Sequence, residues 1–166
     1  MKIFVTGSSG FIGFNLIKRL LIDGHEVVGI DNHNDYYSRE LKLTRLSLLE
    51  AKNFSFYEQD LNNITSDGKN IDLAINLAAQ AGVRVSKEKE YLYKTSNIDG
   101  FSSFCNFFIK KNIKKVIYAS SSSVYSDKKK MGFCEKDTVL NPKSEYGKSK
   151  LLNEKYASHI AKLHNF

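Results

Sequence analysis

Residues 2–13 read KIFVTGSSGFIG, and this stretch decides the fold. Lys2–Thr6 is an apolar run of strand length, and Phe11–Ile22 carries Phe11, Ile12, Leu16, Leu20 and Leu21 at helical spacing. Between the two lie Gly7, Gly10 and Gly13. A glycine pattern says little alone, but a strand before it and a helix after it turn it into a phosphate loop. In that setting Gly7 allows the tight turn, Gly10 lets backbone amides approach a pyrophosphate, and Gly13 lets the helix pack close on the sheet. The helix N-terminus adds positive potential for the phosphates. The spacing is GxxGxxG rather than GxGxxG.

Beyond the loop the chain alternates short apolar runs with amphipathic stretches. Gly24 ends the first helix. Strands are expected at Glu26–Ile30, Phe54–Tyr57, Ile71–Ala78 and Lys115–Ser120, and helices at Arg39–Ala51, Tyr91–Lys111 and Glu145–His164. Ile71–Ala78 is apolar enough for burial on both faces. This alternation predicts an α/β fold: a Rossmann-type doubly wound parallel sheet of about five strands, one domain over residues 1–166, with helices on both faces. Ligands of such sheets sit at the carboxyl ends of the strands, which is where the functional residues are sought.

Composition narrows the function. The 166 residues are 42% hydrophobic and 26% charged, a globular balance. Cys105 and Cys134 are the only cysteines, which excludes a disulfide framework and points to reduced thiols in a cytoplasmic setting. With four scattered histidines, no metal site is expected. No apolar run approaches the roughly 18 residues of a membrane span. Met1–Leu21 is broken by glycines and bears its charges late, at Lys18 and Arg19, unlike a signal peptide. The net charge of +7 comes mostly from dispersed lysines. The dense run Lys128–Lys130 reads as a solvated loop, and Lys110, Lys111, Lys114 and Lys115 suit the end of a helix, so nucleic acid is not an expected partner.

Four groups of residues carry chemistry. Asp31 follows the second strand, where a carboxylate accepts the ribose hydroxyls of adenosine and repels a 2′-phosphate; this favours NAD over NADP. Asp60 and Leu61 follow the third strand, within reach of adenine. Tyr146 and Lys150 are four residues apart, on one helix face. A free phenol titrates near 10, and a neighbouring ammonium favours the phenolate, making it a base for a sugar hydroxyl. Ser120–Ser123 close the fifth strand with hydroxyls that can bind a substrate oxygen.

These segments resemble the extended short-chain dehydrogenase/reductase family of NAD-dependent nucleotide-sugar epimerases and dehydratases. The motifs are VTGSSGFIG (5–13), NLAAQAGV (76–83), SNIDGF (96–101), ASSSSVY (119–125) and YGKSK (146–150). DNHNDYYSRELKLTRL (31–46) and LAAQAGVRVS (77–86) resemble the UDP-glucuronate 4-epimerase group within it. The resemblance implies a cofactor site of Gly7, Gly10, Phe11, Ile12, Gly13, Asp31, Asn32, Asp60, Leu61, Ala78, Ala79, Asn97, Tyr146 and Lys150. It implies a catalytic set of Ser121, Tyr146 and Lys150, with Ser122 and Ser123 beside the substrate. Related dehydratases and decarboxylases carry carboxylates at the positions of Ser122 and Ser123; their lack here favours epimerisation through a 4-keto sugar.

The sequence also departs from the pattern at Val85, at 87–90, at Ser126 and at Gly132. The family continues past the Tyr146 helix into further strands and a smaller C-terminal substrate domain that residues 1–166 do not contain, so turnover by these residues alone is not expected. The alternative is an NAD-binding or interaction module without turnover. A homodimer is expected through helices 91–111 and 145–164, because Tyr93, Phe107, Leu151 and Tyr156 widen their apolar stripes.

Overall fold

The computed structural model describes residues 1–65, 69–82, 87–125, 132–136 and 140–164. In chain order its strands are β1 (Lys2–Thr6), β2 (Glu26–Asp31), β3 (Phe54–Glu58), β4 (Leu73–Asn76) and β5 (Val116–Tyr118). Its α-helices are α1 (Phe11–Ile22), α2 (Arg39–Ser47), α3 (Gly100–Lys110) and α4 (Glu145–His164). All strand pairs are parallel and the order is β3-β2-β1-β4-β5. Ile3 on β1 stands opposite Val27 on one side and Leu73 on the other. Crossovers therefore run outward in both directions from the β1–β4 junction, which is the switch point of a doubly wound sheet.

Alternation along β1 divides the core in two. Ile3 and Val5 pack with Val27, Ile75, Leu49 and Ile17 of α1 on one face. Phe4 points to the other face, into a larger cluster with Phe101, Phe104, Phe107 and Ile160, and its ring centre is 4.9 Å from that of Phe107. This places α3 and α4 on the face opposite α1.

The ends of several elements differ from expectation. α2 stops at Ser47 instead of Ala51, because Leu49 N–H turns back to the Leu46 carbonyl and tightens the last turn. β4 spans Leu73–Asn76 rather than Ile71–Ala78, because Leu77 and Ala78 leave the ladder and donate their N–H groups to the Thr6 hydroxyl. β5 covers Val116–Tyr118, inside the expected Lys115–Ser120. The long helix expected over 91–111 is wound as a π-helix at Tyr93–Asp99 before it becomes α3. Tyr93 and Phe107, expected on a second apolar surface, are buried at 4% and 7% exposure; that helix holds them in the core and does not offer them to a partner. Among the described residues no helix is long and apolar enough to cross a membrane.

The phosphate loop closes on itself. Gly7 has φ +69° and its backbone abuts Ala78, and a Cβ on Gly13 would overlap the Gly7 carbonyl oxygen. Gly13 thus lets α1 approach the loop rather than the sheet, a correction to the expected role. A Cβ on Gly10 would meet only the Gly7 carbonyl, at 3.1 Å. Gly13→Ala is expected to cost about 1–3 kcal/mol by overpacking, and Gly10→Ala under about 1 kcal/mol. Urea unfolding of the two variants checks the difference.

Candidate active site

The carboxyl ends of β1, β2, β3 and β4 enclose a cavity of about 330 Å³. Its lining brings together Gly7, Gly10, Phe11, Ile12, Gly13, Asp31, Asn32, Asp60, Leu61, Ala78 and Ala79, eleven of the residues singled out in the sequence. The two carboxylates are held differently. Asp31 is buried: one of its oxygens accepts the Ser9 N–H at 3.1 Å and the other the His33 N–H at 2.9 Å. Each oxygen keeps a lone pair for a ribose hydroxyl. Asp60 accepts from the Asn62 N–H and side chain and from the Asn32 amide, at 2.8–2.9 Å. Burial opposes its charge, but these donors outweigh it and hold the carboxyl below the usual range.

The second group lies where α4 meets the end of β5. Ser121 caps the short turn Ser122–Val124 through the Ser123 N–H at 3.1 Å. α4 comes close because Gly147 has no Cβ to strike the Ser123 carbonyl. Tyr146, one residue earlier, receives a hydrogen bond from the Ser121 hydroxyl that favours its phenolate, yet burial is the larger effect and the Tyr36 phenol adds to it, so the group sits above its ordinary value. The expected depression by Lys150 is not seen. The Lys150 ammonium is 5.9 Å from the centre of the Tyr146 ring and donates instead to the Ala119 carbonyl at 3.0 Å. With no carboxylate partner among the described residues, burial lowers Lys150 to about 8.

A match to the NAD dependent epimerase/dehydratase family extends over residues 3–166. The chain belongs to this family. The family is NAD dependent, in agreement with the cofactor expected from the glycine loop and Asp31. The Staphylococcus aureus protein CapI is 42% identical over 99% of this chain and 51% of its own length. UDP-glucuronate 4-epimerase 2 of Arabidopsis thaliana is 37% identical over 95% of this chain and 38% of its own length. The structure of UDP-glucuronic acid 4-epimerase from Bacillus cereus, in complex with UDP-glucuronic acid and NAD, superposes with a TM-score of 0.88 at 33% identity, covering all of this chain and 54% of that one. The chain thus spans about half the length of these relatives.

Within this family member, Asn97 lies behind the cavity wall. Its amide joins Gln80 N (2.7 Å), Gln80 O (3.2 Å) and the Ser149 hydroxyl (3.0 Å), tying the loop after β4 to α4. Ser122 is exposed and Ser123 half-buried. Ser120 bonds Glu154. Three residues of the site escaped the sequence reading. Lys42 is buried, donates to the Asn34 carbonyl and side chain at 2.9 and 2.7 Å, and stands 3.8 Å from Asp31. Its spacing with Leu46 on α2 and with Leu49 just beyond the helix was the available signal. His33 bonds the Ser9 hydroxyl at 2.9 Å and stacks on Phe56, and Tyr36 lines the cavity; neither had a signal in periodicity.

Because folding lowers the Lys150 value, the charged amine destabilises the native state at every pH below about 8, and the penalty fades as pH rises toward its ordinary 10.5. Its full size is about 3 kcal/mol. Lys150→Met is therefore expected to gain roughly 2 kcal/mol at pH 7, after loss of the Ala119 hydrogen bond, and to lose up to about 1 kcal/mol at pH 10.5, where the loss of that bond stands almost alone. Denaturant unfolding at the two pH values checks this.

Proposed function

We propose that these residues form the NAD-binding and catalytic half of a nucleotide-sugar 4-epimerase of the UDP-glucuronate type. The observation that carries the reading is the placement of Tyr146, Lys150 and Ser121 together, beside a cavity lined by the glycine loop and Asp31. The residues fit NAD: Gly7, Gly10 and Gly13 line the cavity with backbone alone, and Asp31 keeps lone pairs for two ribose hydroxyls. When bound, NAD supplies reversible hydride acceptance.

The chain's own part is proton chemistry and positioning. Tyr146 takes the proton of the sugar 4-hydroxyl and returns it after the 4-keto sugar has presented its other face. Ser121 donates its single hydroxyl proton to Tyr146 before substrate arrives and turns it to the sugar 4-oxygen once that oxygen occupies the site. The Lys150 ammonium is the cation available to favour the phenolate, and Ser122 and Ser123 offer the substrate no carboxylate for dehydration. A C-terminal domain beyond these residues supplies most of the nucleotide-sugar contacts. Half-exposed Leu152 and exposed Leu163 on α4 support a homodimer, and a cysteine content of two, Cys105 buried and Cys134 exposed, supports a cytoplasmic setting. The alternative, an NAD-binding module without turnover, draws on the half-length match.

Fluorescence titration of the chain is expected to show NADH binding at least about tenfold tighter than NADPH, through repulsion of the 2′-phosphate by Asp31. Equal affinities sink the assignment. UDP-glucuronate incubated with residues 1–166 is expected to give no UDP-galacturonate, since a sugar held by one wall loses much of the roughly 7–11 kcal/mol that orientation can supply. Product that disappears in Tyr146→Phe would show that these residues suffice.

A further inference from the structure

The cavity is bridged from one wall to the other. Asn34, Tyr36 and Tyr37 follow β2 along one wall, and Ala78, Ala79 and Ala81 follow β4 along the opposite one. The Tyr36 hydroxyl reaches across and lies against Gly82, at the place a Cβ would fill. The Gly82 carbonyl accepts the Tyr93 hydroxyl at 2.6 Å, and the Tyr93 ring centre is 6.1 Å from that of Tyr146. Tyr36 is near enough to Tyr93 and Tyr146 to act on both electrostatically. One side chain thus joins the ribose end of the site, at Asp31, to its catalytic end.

A dinucleotide extending from Asp31 toward Tyr146 has to pass this bridge. Tyr36 is also poorly anchored: it is 38% exposed, and its ring meets that of Tyr37 edge-on at 4.7 Å. A change of rotamer would open the crossing at the cost of little buried surface.

We infer that Tyr36 is the gate of the cofactor cavity, a side chain that must swing aside for the dinucleotide to enter or leave. This rests on the reading of the cavity as an NAD site. A gate slows both directions of exchange, whereas a residue that only contacts the ligand slows departure alone.

Stopped-flow fluorescence with NADH and the 166-residue chain separates the two. Tyr36→Ala is expected to raise the association and dissociation rate constants together, each about tenfold, with Kd little changed. Tyr36→Phe, which keeps the ring, is expected to behave as wild type, and Tyr36→Leu to fall between them. Faster dissociation alone, or rates unchanged in the Ala variant, overturns the gate while leaving the NAD site intact. Failure of the wild-type chain to bind NADH overturns the NAD reading itself. If Tyr36→Ala does not fold by circular dichroism, the Leu variant decides by the same criterion.

Discussion

The Thr6 hydroxyl is the knot on which the site depends. It donates to the Asn76 side-chain oxygen and accepts the N–H groups of Leu77 at 3.2 Å and Ala78 at 3.1 Å, and Thr6 is completely buried. β1 and β4 are neighbours whose crossovers depart in opposite directions, so their ends have no shared covering helix. Leu77 N–H is shared between this hydroxyl and the Thr6 carbonyl at 3.3 Å, whereas for the half-buried Ala78 N–H the hydroxyl replaces a ladder partner whose loss would cost about 1–3 kcal/mol. The same hydroxyl thus holds the chain where β4 turns away from β1. The Gly7 turn then fits against Ala78, and the groove between the two loops becomes the cavity floor.

Charge in the site is compensated unequally, and that inequality assigns roles. Asp31 and Asp60 each receive N–H donors from their own surroundings before any ligand arrives, and Lys42 stands near Asp31 as well. They are preorganised acceptors, held in place by those donors. Lys150 has only a carbonyl dipole and is 3% exposed. A buried ammonium in that position is a burden on the fold, which a purely structural residue would not impose.

The parts of the fold that were legible in the sequence are those decided by local pattern. β1, α1 and α4 have their expected bounds because strand alternation, the glycine turn and unbroken helical spacing all agree along them. The cavity lining was legible for the same reason, since the glycine loop and the residues after each strand are placed by topology. The π-helix at Tyr93–Asp99 was not, because one extra residue per turn leaves no mark on an apolar stripe. That winding ends beside Asn97, whose partners Gln80 and Ser149 are 17 and 52 residues away in sequence. Lys42 and Phe107 were missed for a related reason: a lysine on an inward helix face and a phenylalanine beside a main stripe are settled by tertiary neighbours, here Asn34 and Phe4.

The two ends of the site differ in how completely these residues build them. The dinucleotide cavity is walled by the loops after four strands. Ser121, Tyr146 and Lys150 instead gather at β5, the edge of the sheet, where Ile117 remains 54% exposed. An edge strand leaves one row of backbone groups and one apolar flank without a neighbour in the sheet. Cofactor binding therefore draws on surfaces enclosed from four directions. Under the proposed function, a sugar oriented against Tyr146 would instead meet residues gathered at this sheet edge. This difference in enclosure is the physical ground on which the function proposed above assigns dinucleotide binding to these residues and does not expect sugar turnover from them alone.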